Sequence, residues 1–284
     1  MATLKDKVIE QSKDGLYYRQ WPLQQNENAA ESPKAVILLV HGMGEHCQRY
    51  DPLARALNKS AYVVCSMDLP HHGRSEGKKG HIDSFEYFQQ AVLGLYQRIK
   101  KEYPTCPIYI LGHSMGGLIT SRFLLDHQDK FSGVILSGAA IEFAARPPRW
   151  QVIIITLISK IMPKAALIPI ESQLVSRDKS VVDAYDNDPL INHNKLSAKL
   201  LVEFITTMDT VKQGAKAINL PILIMHGDDD RIISSEGSQW LYDTVASNDK
   251  TLKRYNGLYH EIFNEPEAKD VYQEVIDWLE QRNS

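Results

Sequence analysis

Gly112-His113-Ser114-Met115-Gly116 sets a serine between two glycines, directly after the apolar strand-like run Ile108 to Leu111 and directly before a helix-like pattern. Glycines two before and two after a serine let strand and helix backbones pass closely enough for a sharp turn that lifts the hydroxyl above the sheet edge. A serine hydroxyl is a poor nucleophile near neutral pH, so it needs a general base, and the base needs a carboxylate to orient it. Downstream, the run PILIMHG leads straight into Asp228-Asp229-Asp230-Arg231. A carboxylate at the C-terminal end of a strand faces the edge where open α/β sheets bind ligands. Thirty residues after Asp230, beyond the strand-like Thr251 to Tyr255, His260 ends the glycine-containing stretch Asn256-Gly257-Leu258-Tyr259-His260. Ser114, Asp230 and His260 are therefore the candidate nucleophile, acid and base of an acyl transfer.

His41-Gly42-Met43-Gly44-Glu45-His46 follows another apolar run, Ala35 to Val40. A loop there supplies one backbone donor of an oxyanion hole, and the residue after the nucleophile supplies the other. Met43 and Met115 are the expected donors. Most of the ten histidines read as ordinary. His127 and His193 look like surface or helical residues, His226 ends a strand, His81 lies in a loop, and His113 is expected to point away from the serine hydroxyl. His71-His72 is the nearest approach to a metal pair and lacks a suitably spaced carboxylate. With no HExxH-type pattern, no metal mechanism is expected, and no cofactor is needed because the triad supplies nucleophile, base and electrostatics.

These groups must be held by a sheet. Short β-branched runs at Ala35 to Val40, Tyr62 to Met67, Ile108 to Leu111, Gly133 to Ser137 and Ile222 to His226 alternate with helical patterns at Asp83 to Glu102, Gly116 to Asp126 and Glu267 to Gln281. That alternation predicts an α/β fold with a mostly parallel sheet and helices on both faces. Val8 to Ser12 and Leu16 to Trp21 around Lys13-Asp14-Gly15 read as an antiparallel hairpin at its edge. From Ile141 to Gly214 the regularity fails: prolines punctuate helical fragments and no clear strand shows. The expected organisation is a core of residues 1–140 and 215–284 with a helical cap inserted at 141–214.

Composition narrows the partners. A chain of 284 residues, 43% hydrophobic and 24% charged, can bury a substantial core, and a net charge of -3 leaves no basic footprint for nucleic acid. Cys47, Cys65 and Cys106 form neither a disulfide set nor a CxxC motif. The charged start MATLKDKVIEQSKDG lacks the apolar core of a secretory leader. Reduced thiols and a cytoplasmic location are expected.

Five ordered segments together resemble the monoacylglycerol lipase family of serine α/β-hydrolases, a group that also takes in lysophospholipases and, more loosely, serine aminopeptidases. HGMGEHCQRY is similar to its oxyanion segment, MDLPHHGRSEG to its D-x-x-G-H-G-x-S-x-G loop, GHSMGG to its nucleophile turn, HGDDDRI to its acid motif and LYHEIFNEPE to its histidine segment. The resemblance implies Ser114, Asp230 and His260 as the triad, with Met43 and Met115 as oxyanion donors. It also implies that Glu45 and Arg49 brace the oxyanion loop and line the polar, substrate-binding end of the site. Two departures stand out: Pro70-His71 where the family has a small or polar residue and then glycine, and Phe263 where some members carry a second histidine near the glycerol.

The insertion carries the substrate clue. Trp150 to Met162 is dense in isoleucine over more than one helix face, with Arg146, Arg149, Lys160 and Lys164 around it and apolar Ala165 to Ile170 following. This leaves room for an acyl-chain tunnel, with Ile154 and Ile158 as substrate contacts, or for a patch that touches a membrane or micelle; packing of cap on core is the competing reading. The expected reaction is hydrolysis of a lipid ester, a monoacylglycerol, with lysophospholipase or general carboxylesterase as alternatives. A proline-releasing peptidase or a non-catalytic binding protein of the same fold is more distant. Oligomeric state is not legible.

Overall fold

The computed structural model describes residues 8–23, 32–145, 147–169 and 171–283. Arg146, Ile170 and most of the polar Asn/Glu/Ser/Pro stretch from Gln24 to Pro33, which reads from its composition as a surface loop, lie outside them.

Mostly apolar runs form the central strands, which are covered on both faces. β1 (Ile9–Lys13), β2 (Leu16–Trp21), β3 (Ala35–Val40), β4 (Tyr62–Met67), β5 (Ile108–His113), β6 (Gly133–Ser137), β9 (Ile222–Gly227) and β10 (Lys250–Tyr255) make one sheet in the order β1-β2-β4-β3-β5-β6-β9-β10. From β4 to β10 every neighbouring pair is parallel. β1 and β2 are antiparallel at the edge. The hairpin turn has Asp14 at φ 53° and Gly15 at φ 75°, the left-handed pair that a two-residue type I′ turn demands.

Period-two alternation divides the core. Val36, Leu38 and Val40 of β3 face one hydrophobic cluster with α2 (Glu86–Glu102), α3 (Met115–His127), α6 (Ala198–Gly214) and α7 (Ser235–Thr244). Ile37 and Leu39 face the other, with α1 (Asp51–Lys59) and α8 (Ala268–Glu280). The parallel register levels the strand ends: Val40 pairs with Gly112, His113 with Ser137, and Ser137 with Met225. The loops that leave β3, β5, β6 and β9 consequently emerge along one edge.

Between β6 and β9 the chain leaves the sheet for α4 (Arg149–Ile161), α5 (Lys179–Asn187) and α6. The expectation of no strand here is corrected by β7 (Ala166–Ile168) and β8 (Leu196–Ser197), which form a separate antiparallel pair. Three and two residues are too few to show a period. α6 works on two sides: Leu200, Phe204 and Met208 join the core under α3, while α4 lies against α6 with Ile155 turned inward. The opposite side of α4 leaves Trp150, Ile153, Ile154, Leu157, Ile161 and Met162 in solvent.

Candidate active site

Ser114 sits at φ 54° and ψ −120°, a left-handed conformation unusual for a residue with a side chain. Its neighbours explain how the turn closes. A Cβ on Gly112 would lie 2.5 Å from the Gly116 carbonyl oxygen, and one on Gly116 would lie 2.1 Å from the Val40 carbonyl oxygen. The turn is tied down by hydrogen bonds from the Ser114 N–H to the Ser137 carbonyl, 2.9 Å, and from the Ala140 N–H to the Ser114 carbonyl, 3.0 Å.

The Ser114 Oγ lies 2.8 Å from His260 Nε2, and His260 Nδ1 lies 2.6 Å from Asp230 Oδ2. Three residues separated by 116 and then 30 positions thus form one buried hydrogen-bonded relay. The other Asp230 oxygen accepts from the N–H groups of Ile232 and Ile233 at 2.8 and 2.9 Å. Burial would raise the Asp230 pKa, but the charge of His260 and hydrogen bonds from His226 and His260 hold it far below the usual carboxylate range. His260 shows the reciprocal balance: burial disfavours its imidazolium, yet the charge and hydrogen bond of Asp230, with help from Glu261 and Glu45, leave its pKa raised. Asp228 instead accepts from Arg254 Nε at 2.6 Å, and Asp229 is exposed. Neither reaches the relay.

His113 turns away from the hydroxyl, with Nδ1 3.0 Å from the Ser137 carbonyl oxygen and its ring packed 4.9 Å from that of His260. Burial, then repulsion from His260, lowers its pKa to about 4, so it packs beside His260 as a neutral ring at neutral pH.

The loop after β3 is held open by polar contacts. Gly42 N–H donates to Glu45 Oε1 at 2.6 Å, Tyr50 donates to the same oxygen at 2.7 Å, and Arg49 Nη1 donates to Oε2 at 2.7 Å. Glu45 is thereby fully engaged in bracing this loop. Burial opposes its charge, but Arg49, His113 and His41 bring its pKa down to about 2. Arg49 also grips Glu261, the residue after His260, through bonds of 2.6 and 2.7 Å, and its guanidinium lies 4.8 Å from the ring of Tyr185 on α5. Among the described residues the N–H groups of Met43 and Met115 donate to no acceptor. For Met115 this follows from its place in the first turn of α3, where helical N–H groups have no partner within the helix.

The segment between β6 and β9 reaches this edge at several points. Asn192 N–H donates to the Gly44 carbonyl at 2.7 Å, Glu261 N–H to the Val175 carbonyl at 2.8 Å, and His46 Nε2 lies 2.9 Å from Asp188 Oδ2. Ile154 is exposed and Ile158 half-buried. Phe263 is buried in the cluster under α8. His71 stands at φ 66°, the left-handed conformation a glycine would take there at less cost, and its ring Nδ1 lies 2.7 Å from the His81 carbonyl oxygen. No group of three or more potential metal ligands occurs among the described residues.

Sequence reasoning passed over Glu261, Tyr185 and His226. Glu261 could have been found as the neighbour of the candidate base His260. His226 looked like the end of a strand, and Tyr185 lies in a segment without periodic pattern.

The fold is that of the α/β-hydrolases. Residues 31–267 match the family described as serine aminopeptidase, S33. The chain is 37% identical to a monoacylglycerol lipase of Mycolicibacterium smegmatis, over 87% of this chain and 88% of that one. It is 36% identical to a monoglyceride lipase of Rattus norvegicus, over 88% and 84% of the two chains. The crystal structure of Paleococcus ferrophilus monoacylglycerol lipase superposes with a TM-score of 0.84 at 30% identity, covering 94% of this chain and 99% of that one. The chain belongs to the monoacylglycerol lipase family of serine α/β-hydrolases.

Proposed function

We propose that this serine ester hydrolase cleaves monoacylglycerols to a fatty acid and glycerol through an acyl-enzyme. The observation that carries the reading is the relay of 2.8 and 2.6 Å from Ser114 through His260 to Asp230, in a chain whose relatives are named monoacylglycerol and monoglyceride lipases. Ser114 Oγ attacks the ester carbonyl carbon while its proton passes to His260 Nε2. The resulting oxyanion accepts hydrogen bonds from the Met43 and Met115 N–H groups, a kind of donor worth roughly 3 to 4 kcal/mol of barrier. As the tetrahedral centre collapses, the carbon–oxygen bond to glycerol breaks and His260 gives its proton to the departing oxygen. Water, deprotonated by His260, then releases the fatty acid and restores the serine.

Residues 141–214 act as the cap over this edge, and the exposed side of α4 is its contact with lipid. Ile161, 81% exposed, and Trp150, 60% exposed, stand with Arg149, Lys160 and Lys164 around them. That composition suits an anionic interface entered by apolar side chains. Among the described residues no helix is long and apolar enough to cross a membrane, so the contact would be peripheral. Three free cysteines, two of them buried, suit a reducing cytoplasm. A lipid panel tests the substrate: monoacylglycerols should turn over well above lysophospholipids and diacylglycerols. A reversed order would favour the lysophospholipase reading, which a relative named phospholipase, 29% identical and from Bacillus subtilis, keeps open.

A further inference from the structure

His226, at the end of β9, is fully buried at 0% exposure and yet polar at both ring nitrogens. Its Nε2 lies 3.0 Å from Asp230 Oδ2 and 3.2 Å from the Ile233 carbonyl oxygen, both acceptors. Its Nδ1 lies 2.7 Å from the Ser238 hydroxyl on α7. Both Nε2 contacts are to acceptors and therefore require a proton on Nε2, while the Ser238 hydroxyl, able to donate or accept, satisfies Nδ1. Asp230 Oδ2 then accepts from two imidazoles at once, His260 at 2.6 Å and His226 at 3.0 Å.

We propose that His226 is a positioning residue for the reaction: it holds the Asp230 carboxylate in register with His260 and, by sharing Oδ2, limits how strongly Asp230 retains the proton on His260. The inference rests on the reading of Asp230 as the acid and His260 as the base. Asp230 Oδ1 is fixed by two backbone N–H groups, so Oδ2 is the oxygen free to tune, and among the described residues only His226 and His260 hydrogen-bond to it. A hydrogen bond given to a carboxylate draws charge from it and weakens what it offers its other partner. Further groups bear on the pair: His113 beside His260 on β5, Glu45 and Arg49 from the loop after β3, and Glu261 next to the base. None of these donates to Asp230.

The tests are His226→Leu, which removes the donor, and His226→Gln, whose amide N–H can reach the Nε2 position. In His226→Leu, kcat on a soluble ester should fall roughly tenfold with KM little changed, as a slightly misplaced base implies. The acid limb of its kcat/KM profile should move to higher pH, since undivided Asp230 charge favours the imidazolium. His226→Gln should recover most of kcat and return the limb toward its original place. Should His226→Leu fail to fold, Ser238→Ala, which frees the ring to turn, should reproduce the upward shift at smaller amplitude. An unmoved pH limb in folded His226→Leu overturns the proposal, as does His226→Gln behaving no better than His226→Leu. Asp230→Asn separates the two levels: if it retains activity the triad assignment itself falls and this inference with it, whereas an inactive Asp230→Asn with an indifferent His226→Leu condemns the positioning role alone.

Discussion

Glu45, on the loop after β3, and Glu261, beside His260, are held by one guanidinium: Arg49 reaches the first at 2.7 Å and the second at 2.6 and 2.7 Å. The loop that carries the proposed oxyanion donor Met43 and the segment that carries His260, the proposed base, are thereby fixed relative to each other by a buried, hydrogen-bonded ion triad. Removing its centre leaves two carboxylates facing each other without a cation. Arg49→Met should lower unfolding free energy by about 3 to 5 kcal/mol, the usual cost of orphaning buried charge, and lower kcat as well. Chemical denaturation and steady-state kinetics measure both, and a loss below about 1 kcal/mol would show that the triad contributes little.

The pH response follows from the same groups. The His260 pKa is raised above the ordinary 6.5, and as the proposed base it would work only when neutral, so kcat/KM should fall as pH drops through a midpoint above 6.5. A midpoint below that value would mean that burial outweighs Asp230. Stability has a separate window. Glu45 is depressed from 4.5 to about 2; its contribution is complete above pH 4.5 and is lost as pH falls toward 2. Acid titration of the folded state should show that loss in the wild type and a smaller one in Glu45→Gln.

Two glycines provide a backbone test with opposite signs. Gly116→Ala forces a Cβ to 2.1 Å from the Val40 carbonyl oxygen, whereas a Cβ on Gly94 in α2 meets nothing within 4 Å. Gly116→Ala should abolish activity and destabilise the fold. Gly94→Ala should stabilise it by about 0.5 to 1 kcal/mol, because alanine loses less backbone freedom in a helix. Denaturant midpoints decide, and a tolerated Gly116→Ala would refute the close-approach account of the turn.

The apolar side of α4 gives a third contrast. Ile153, Leu157 and Ile161 are exposed, while Ile155 packs inward. The triple change to serine at the exposed positions should keep the melting temperature within a few degrees but reduce co-sedimentation with anionic vesicles and turnover of long-chain monoacylglycerol more than turnover of p-nitrophenyl acetate. Ile155→Ser should lower the melting temperature instead. Equal vesicle binding by the triple variant and the wild type would remove α4 from the account of lipid contact.

What the sequence made legible was whatever depends on neighbours along the chain. AVILLV, YVVCSM and GVILS became β3, β4 and β6 at the expected bounds, because short, predominantly apolar runs read as strands buried on both faces or as short buried helix, and their flanking turns favour strands. Ser114, Asp230 and His260 stood out as candidates because each follows a strand whose end the parallel register brings to one edge. What lay hidden depends on distant partners. Which side of α4 faces inward is set by α6, some fifty residues later in the chain, so composition could not separate exposed Ile154 from half-buried Ile158. His226 was read as a strand terminus because nothing near it in sequence reveals Ser238 on α7 as its second partner. β7 and β8 were too short to carry any period.

A fluorophosphonate tests the central claim, because only an activated serine attacks it readily. The molecule contains its own control. Ser197 Oγ lies 2.8 Å from His81 Nδ1, and His81 Nε2 lies 3.1 Å from Asp83, a second serine–histidine–aspartate chain. Ser197 is 2% exposed, however, and its hydroxyl caps α6 through the Leu200 N–H at 3.2 Å, so it has neither access nor a free lone-pair geometry for attack. Intact-mass analysis with peptide mapping should find a single adduct on Ser114, absent from Ser114→Ala and unaffected in Ser197→Ala. A stoichiometric adduct on Ser197 or any other serine, or full ester hydrolysis by Ser114→Ala, would contradict the assignment of Ser114 as the nucleophile.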